Sequence, residues 1–256
     1  MGNISACIQV KNLFVEFKLR DGKILKVIEN VSFQVEEKEF VCLVGPSGCG
    51  KSTILNLISH LVKPTYGELL TGSNDNVRPP ILSYVFQDSR LLNWLTIRDN
   101  ITFVLKSMQI PQGLWEERVN HYLGLVGLGE FINEYPLSLS GGMQQRVSIA
   151  RALSVNPDIL LMDEPFSNLD ELTARGLIKD LLKIWEKEKK AIVFVTHNAL
   201  EATFLADRII ILSRRPARIL QDKNIPLPRP RSLEDPRLFE TQKEIVSVLE
   251  DHIHPK

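Results

Sequence analysis

Long apolar runs are missing from this 256-residue chain. None approaches the roughly 20 residues a helix needs to cross a bilayer, so any membrane role is expected to come from docking onto partners. The start, MGNISACIQV, lacks the long apolar core of a secretory signal. It also puts Ala6 where a myristoylation pattern requires Ser or Thr, which sets lipidation aside. Cysteine is scarce. Cys7, Cys42 and Cys49 are odd in number and widely spaced. That argues against a disulfide framework or a thiolate metal site, and a reduced, intracellular protein is expected. A charge surplus is also lacking: 31 basic residues face 31 acidic ones. A dedicated nucleic-acid binder would more often be basic, so no nucleic-acid partner is expected. There is no internal repeat and no low-complexity block.

What is present is enough apolar residue for a core, 44% of the chain. One large domain, or one with an inserted subdomain, suits this length. From Ile8 to Val35, short alternating apolar runs broken at Asp21-Gly22 read as strands with a hairpin. Glu39–Val44 is an apolar run that meets a glycine-rich loop, and a helical pattern follows over Lys51–Leu61. Residues 89–154 carry helical periodicity without a convincing strand. Strand patterns return at Ile159–Met162, Ala191–Thr196 and Arg208–Leu212, with helical stretches such as Ala174–Lys187 between them. That alternation implies an α/β fold with a mostly parallel sheet. Prolines 216, 226, 228, 230 and 236 then break the tail into an extended arm, before an amphipathic helix from Pro236 to about His252.

Gly45-Pro46-Ser47-Gly48-Cys49-Gly50-Lys51-Ser52-Thr53 fits G-x-x-x-x-G-K-[ST] in full. A triphosphate needs close positive partners. Glycines let backbone N–H groups face it without obstruction, and the helix starting near Lys51 offers its positive end. Lys51 adds charge at the β- and γ-phosphates, and Ser52 can ligate Mg²⁺. Alone, this loop means only nucleotide binding. Further on, Ile159–Met162 leads into Asp163-Glu164. Asp163 is expected to hold Mg²⁺, and Glu164 to polarise the attacking water. His197 follows a strand and can contact the γ-phosphate. An isolated acid pair or a lone histidine would carry little weight; downstream of a phosphate loop they carry more.

Leu139-Ser140-Gly141-Gly142-Met143-Gln144-Gln145-Arg146 resembles the LSGGQ signature of ABC ATPases, with Met143 before the glutamine. Val147, Ile149, Ala150 and Leu153 give the helix that follows a buried face. The resemblance covers nearly the whole chain. It implies a P-loop NTPase ABC ATPase domain with a mostly parallel core sheet, an antiparallel β-subdomain and a helical insertion. The implied boundaries are 1–88 with 155–225 for the core, 89–154 for the helical subdomain, and 226–256 for a C-terminal arm. It further implies that Ser140, Gly141 and Gly142 hold the γ-phosphate of a second ATPase chain, identical or paralogous, in a head-to-tail sandwich. Gln87 looks like the Q-loop glutamine that senses Mg²⁺. Phe17 is the candidate for stacking on adenine. Ser167-Asn168-Leu169-Asp170 resembles the D-loop with Asn168 in place of the usual alanine, and Thr196-His197-Asn198 resembles the H-loop with Asn198 where aspartate is common.

The stretch from Phe86 to Asn100 is similar to importers of nitrate, aliphatic sulfonates, taurine and bicarbonate, with Asn93 in place of a usual proline. Arg214-Arg215-Pro216-Ala217-Arg218-Ile219 resembles the same group, without a chemical role that residue type alone supplies. The cofactors implied are ATP and Mg²⁺. The partners implied are permease subunits at the cytoplasmic face of the membrane and, indirectly, a periplasmic or lipid-anchored solute-binding protein. Trp94 and Leu95 are candidates to line the permease groove. A soluble DNA-repair or ribosomal ATPase would carry a long coiled coil or a second cassette, and a small-molecule kinase leaves Ser140–Arg146 without a task.

Overall fold

The computed structural model describes residues 6–72 and 78–253. The myristoylation-like start therefore lies outside the described residues. The first elements are β1 (Ala6–Lys18), β2 (Ile24–Glu36), β3 (Phe40–Val44), α1 (Lys51–Ile58), β4 (Tyr66–Thr71) and β5 (Leu82–Val85). Next come α2 (Ile97–Ser107), α3 (Trp115–Leu125), α4 (Gly141–Ser154), β6 (Ile159–Asp163) and α5 (Glu171–Glu188). The chain continues with β7 (Ala191–Thr196), α6 (Ala199–Leu205), β8 (Arg208–Leu212), β9 (Ile219–Asn224) and α7 (Pro236–Ile253). The described residues form two compact units, divided between Pro80 and Ile81 and again between Lys189 and Lys190.

In the first unit, β1, β2 and β4 make an antiparallel sheet in the order β2-β1-β4. Val31, Phe33 and Val35 are buried while Ser32 and Gln34 are exposed, the alternation of a half-buried strand. Register shifts interrupt the β1–β2 pairing. Asn12 and Asn30 have φ of 47° and 54°, a backbone that asparagine tolerates better than most residues. Gly67 has φ of 96°, and a Cβ there would lie 2.2 Å from the Asn12 carbonyl oxygen. β7, β3 and β8 run parallel, and β9 returns antiparallel to β8. All five residues of β3 are buried, which explains its unbroken apolar run. α1 stops at Ile58, short of the expected Leu61. His60 takes φ of 58°, and the Leu61 and Val62 amides bond back to the Asn56 carbonyl.

The core range expected to end at residue 225 closes with β9, whose pairing the sequence pattern did not signal. Beyond it, the Arg231 guanidinium is buried and donates to the carbonyls of Thr203, Ala206 and Leu227, at 2.7–3.0 Å. It satisfies the last carbonyls around α6, on which α7 packs.

In the second unit, β5 and β6 pair in parallel. Three helices begin on side-chain caps. Thr96 accepts from the Asp99 amide, Ser140 from Met143 and Asp170 from Thr173. The Asp170 cap starts α5 at Glu171, ahead of the expected Ala174. Val147, Ile149, Ala150 and Leu153 of α4 are at most 2% exposed, as the periodicity requires.

Candidate functional site

In the first unit, register decides what meets at the sheet edge. Val44 pairs with Thr196 and with Ile211, so Gly45, His197 and Leu212 leave neighbouring strands side by side. The carboxyl edge of a parallel sheet is where α/β folds place ligands. Residues 45–50 wrap from that edge into α1. Gly48 and Gly50 have φ of 73° and 125°, values that favour glycine. A Cβ on Gly45 would come within 3.0 Å of the Cys49 Sγ. Lys51 is 4% exposed, and its Nζ donates to the Gly45 and Pro46 carbonyls at 2.8 and 3.0 Å. A buried ammonium curled over its own loop is a fitting partner for a polyanion. Ser52 lies exposed in the first turn of α1, and Thr53 is half-buried. His197 is exposed. Phe17 pairs with Leu25 and is 40% exposed, so its ring is not a core side chain.

In the second unit, Val85 pairs with Met162, and the segments Phe86-Gln87 and Asp163-Glu164 leave β5 and β6 together. Glu164 takes φ of 42° and turns the chain sharply, while its carbonyl accepts from the Ser167 amide and hydroxyl at 3.2 and 2.9 Å. Ser140 and Gly141 stand exposed at the start of α4, and Gly142 is buried. A cavity of about 210 Å³ is lined by Gln87, Asp88, Gly141, Gln145, Asn168 and Leu169. The signature helix, the Gln87 segment and the turn after Glu164 therefore meet inside one unit.

Several residues that residue type alone did not single out build this arrangement. The Tyr84 hydroxyl donates to Asp163 Oδ2 at 3.2 Å. Burial, and then the Asp163 carboxylate, raise the phenol's pKa, so it keeps the proton it donates. Gln145 donates to the Phe86 carbonyl at 3.3 Å, and Arg151 to the Ser89 and Arg90 carbonyls at 2.8 and 2.9 Å. The Arg90 guanidinium lies 3.8 Å over the Phe86 ring. Asn168, the D-loop departure, donates to Asp88 at 3.0 Å. Buried Asn100 organises the loop before α2, donating to the Leu92, Leu95 and Thr96 carbonyls. In the first unit, Glu201 is buried and accepts from Thr196 Oγ1 at 2.6 Å, and Thr196 Oγ1 accepts from the Asn198 amide, bracketing His197. A buried-type position filled by a polar residue was the available signal for Asn100 and Glu201. Arg90, Gln145, Asn168, Thr196 and Asn198 fall inside the stretches already quoted, whereas Tyr84 and Arg151 have no such signal.

The donor set also bears on the metal. Ser52, Gln87 and Asp163 offer hard oxygen donors, and the described residues contain no cluster of three or more His, Cys, Asp or Glu. Among the described residues there is thus no all-protein metal cage. That fits Mg²⁺, which keeps waters and binds through one or two carboxylates plus substrate phosphates.

A phosphate loop opening a helix at a parallel sheet edge, together with an apolar strand that runs into Asp163-Glu164, is the arrangement of a P-loop nucleotide-binding protein. The family model described as ABC transporter matches residues 28–167, more than half of the sequence. The chain belongs to that family and is an ABC ATPase. Among curated relatives, it is 42% identical over 247 residues to the uncharacterized ABC transporter ATP-binding protein MJ0412 of Methanocaldococcus jannaschii, covering 96% of this chain and 92% of the relative. It is 42% identical over 230 residues to the nitrate import ATP-binding protein NrtD of Synechococcus elongatus, covering 87% of this chain and 84% of that one. Among solved structures, the dimeric post-hydrolysis state of the ATP-binding cassette MJ0796 bound to ADP and Pi is similar with a TM-score of 0.73 and 34% identity, over 85% of this chain and 98% of that one. No helix among the described residues is long and apolar enough to cross a membrane.

Proposed function

We propose that this chain is the ATP-hydrolysing subunit of an importer, docked at the cytoplasmic face of the membrane. It works as one of two ATPase chains and energises uptake of a small solute, of the nitrate, sulfonate or taurine kind, through a partner permease fed by a solute-binding protein. The observation that carries this reading is a second anion cradle. One chain has the loop Gly45–Lys51 and also an exposed, capped helix start at Ser140-Gly141. Two cradles for one triphosphate make sense when the second belongs to another copy. The dimer of the MJ0796 cassette and the nitrate import role named for NrtD support the pairing and the solute class.

In the mechanism, the loop amides and Lys51 bind the phosphates, Lys51 exchanging the Gly45 and Pro46 carbonyls for β- and γ-phosphate oxygens. Phe17 stacks on adenine. Ser52, Gln87 and Asp163 would hold Mg²⁺, which when bound neutralises charge on the β- and γ-phosphate oxygens. Glu164 takes a proton from water as its oxygen bonds to the γ-phosphorus and the bond to ADP breaks. His197 holds the γ-phosphate. Ser140, Gly141 and Gly142 of the second copy close over it, so that hydrolysis removes the bridge and the pair opens. The helical segment 89–154, with Trp94 at 74% exposure, couples this motion to the permease.

Two variants test the reading. Lys51→Ala should lose nucleotide binding and turnover. Glu164→Gln should bind ATP, hydrolyse it very slowly and run as a dimer in gel filtration with ATP. A Glu164→Gln protein that stays monomeric at saturating ATP would remove the sandwich.

A further inference from the structure

The segment Leu212–Ile219, which holds the motif Arg214–Ile219, has no part in that mechanism, yet it meets the phosphate loop at three points. The Leu212 carbonyl oxygen lies 3.1 Å from where a Gly45 Cβ would stand. The Ala217 methyl lies 3.6 Å from the Cβ position of Gly50. Between them, Arg215 donates from Nε and Nη2 to the Gly48 carbonyl, at 3.1 and 2.6 Å. The turn is itself held in place: the Ala217 amide donates to the Val27 carbonyl, the Glu29 amide to the Ala217 carbonyl, and the Arg218 amide to Ser213 Oγ. All these residues belong to the first unit.

We propose that Arg215 is a positioning residue for phosphate binding, acting through the orientation of the Gly48–Cys49 peptide. In a trans peptide the C=O and N–H groups point in opposite directions. Holding the Gly48 carbonyl on one side therefore turns the Cys49 N–H to the other, where it donates to the Pro46 carbonyl at 3.2 Å. That same carbonyl accepts from Lys51 Nζ at 3.0 Å. The amide and the ammonium thus share one acceptor in the loop, the Pro46 carbonyl, whose place a phosphate oxygen would take. Glycines on both sides of this peptide segment, Gly48 and Gly50, leave its backbone free to turn over in the absence of a tie. The guanidinium supplies a charge-assisted, two-donor tie, and its charge polarises the peptide so that the N–H becomes a better donor.

This inference rests on the reading that residues 45–53 bind ATP, and the experiment separates the two. Nucleotide affinity is measured by titrating ATP and ADP without turnover, beside KM and kcat, for Arg215→Ala, Arg215→Lys, Arg214→Ala and Lys51→Ala. Arg215→Ala should weaken both nucleotides about tenfold and raise KM alike. Its kcat and its unfolding midpoint without nucleotide should stay near those of the native protein. Arg215→Lys, with a charge but no fork, should recover part of the affinity, and Arg214→Ala should match the native protein. Hydrogen exchange at residues 46–51 should quicken in Arg215→Ala. Native affinity in Arg215→Ala, while Lys51→Ala loses binding, overturns the role of Arg215 and leaves the loop assignment standing. An equal fall of affinity, kcat and midpoint, unrelieved by lysine, makes Arg215 a general structural residue and also overturns it. Native affinity in Lys51→Ala overturns the loop assignment itself.

Discussion

Glu164 offers a prediction in which stability and activity are tested at one position. It follows β6 with φ of 42°, in the left-handed region, which costs an L-residue about 1–2 kcal/mol. The turn is not free to relax, because the Ser167 amide and hydroxyl both bind the Glu164 carbonyl. Alanine at this position keeps a Cβ and its cost; glycine removes both. Glycine also frees the unfolded chain, an opposing effect of about 0.5–1 kcal/mol. Glu164→Gly should therefore be more stable than Glu164→Ala by about 0.5–1 kcal/mol, the reverse of the order in a helix or strand. In urea, with a slope of about 1–3 kcal/mol/M, the midpoints should differ by a few tenths molar. Both variants lose the proton acceptor, and phosphate release at saturating ATP should fall by about a hundredfold or more. An alanine variant as stable as the glycine one refutes the strained turn. Turnover within about tenfold of native in either variant refutes the assignment of Glu164 as the base.

Three further tests use other parts of the molecule. A Cβ on Gly142 would lie 2.6 Å from Thr173 Cγ2, so Gly142→Ala should lose about 1–3 kcal/mol in urea unfolding, and Thr173→Ser in the same chain should restore most of it. Glu201→Gln weakens the 2.6 Å acceptor of Thr196 beneath His197; a loss of about 1–2 kcal/mol with reduced turnover is expected, and native values in both assays would remove its role. Burial pushes the Cys7 thiol up to about 12 from an ordinary 9.0, so the unfolded state releases its proton first; stability should fall as pH rises from about 9 toward 12, and Cys7→Ala should flatten that fall.

The folded chain also refines what its motifs can say. Gly45–Thr53, Asp163-Glu164 and Ser140–Gly142 are legible in the sequence as motifs because each is a run of contiguous residues, the kind of pattern that phosphate and metal chemistry imposes. β3 and β7 are legible for a related reason: strands buried on both faces read as apolar runs. The periodicity of α4 likewise named its buried face. The end of α1 was not legible, because Leu61 continues the apolar pattern, and only the backbone turn at His60 places it outside the helix at 67% exposure.

Other features belong to tertiary structure alone. β9, Ile219–Asn224, is a mostly polar segment whose strand state comes from its register against β8, not from its own alternation. The tie from Arg215 to Gly48 spans 167 positions, and the one from Tyr84 to Asp163 spans 79. An exposed arginine reads the same in sequence whether it faces water or a loop carbonyl. The sequence by itself therefore determined the family and the candidate groups for phosphate, water and metal, because that chemistry is written in local spacing. Which side chains hold those groups in place was decided only by the parallel registers of the two units, because hydrogen bonds between distant residues leave no period in the chain.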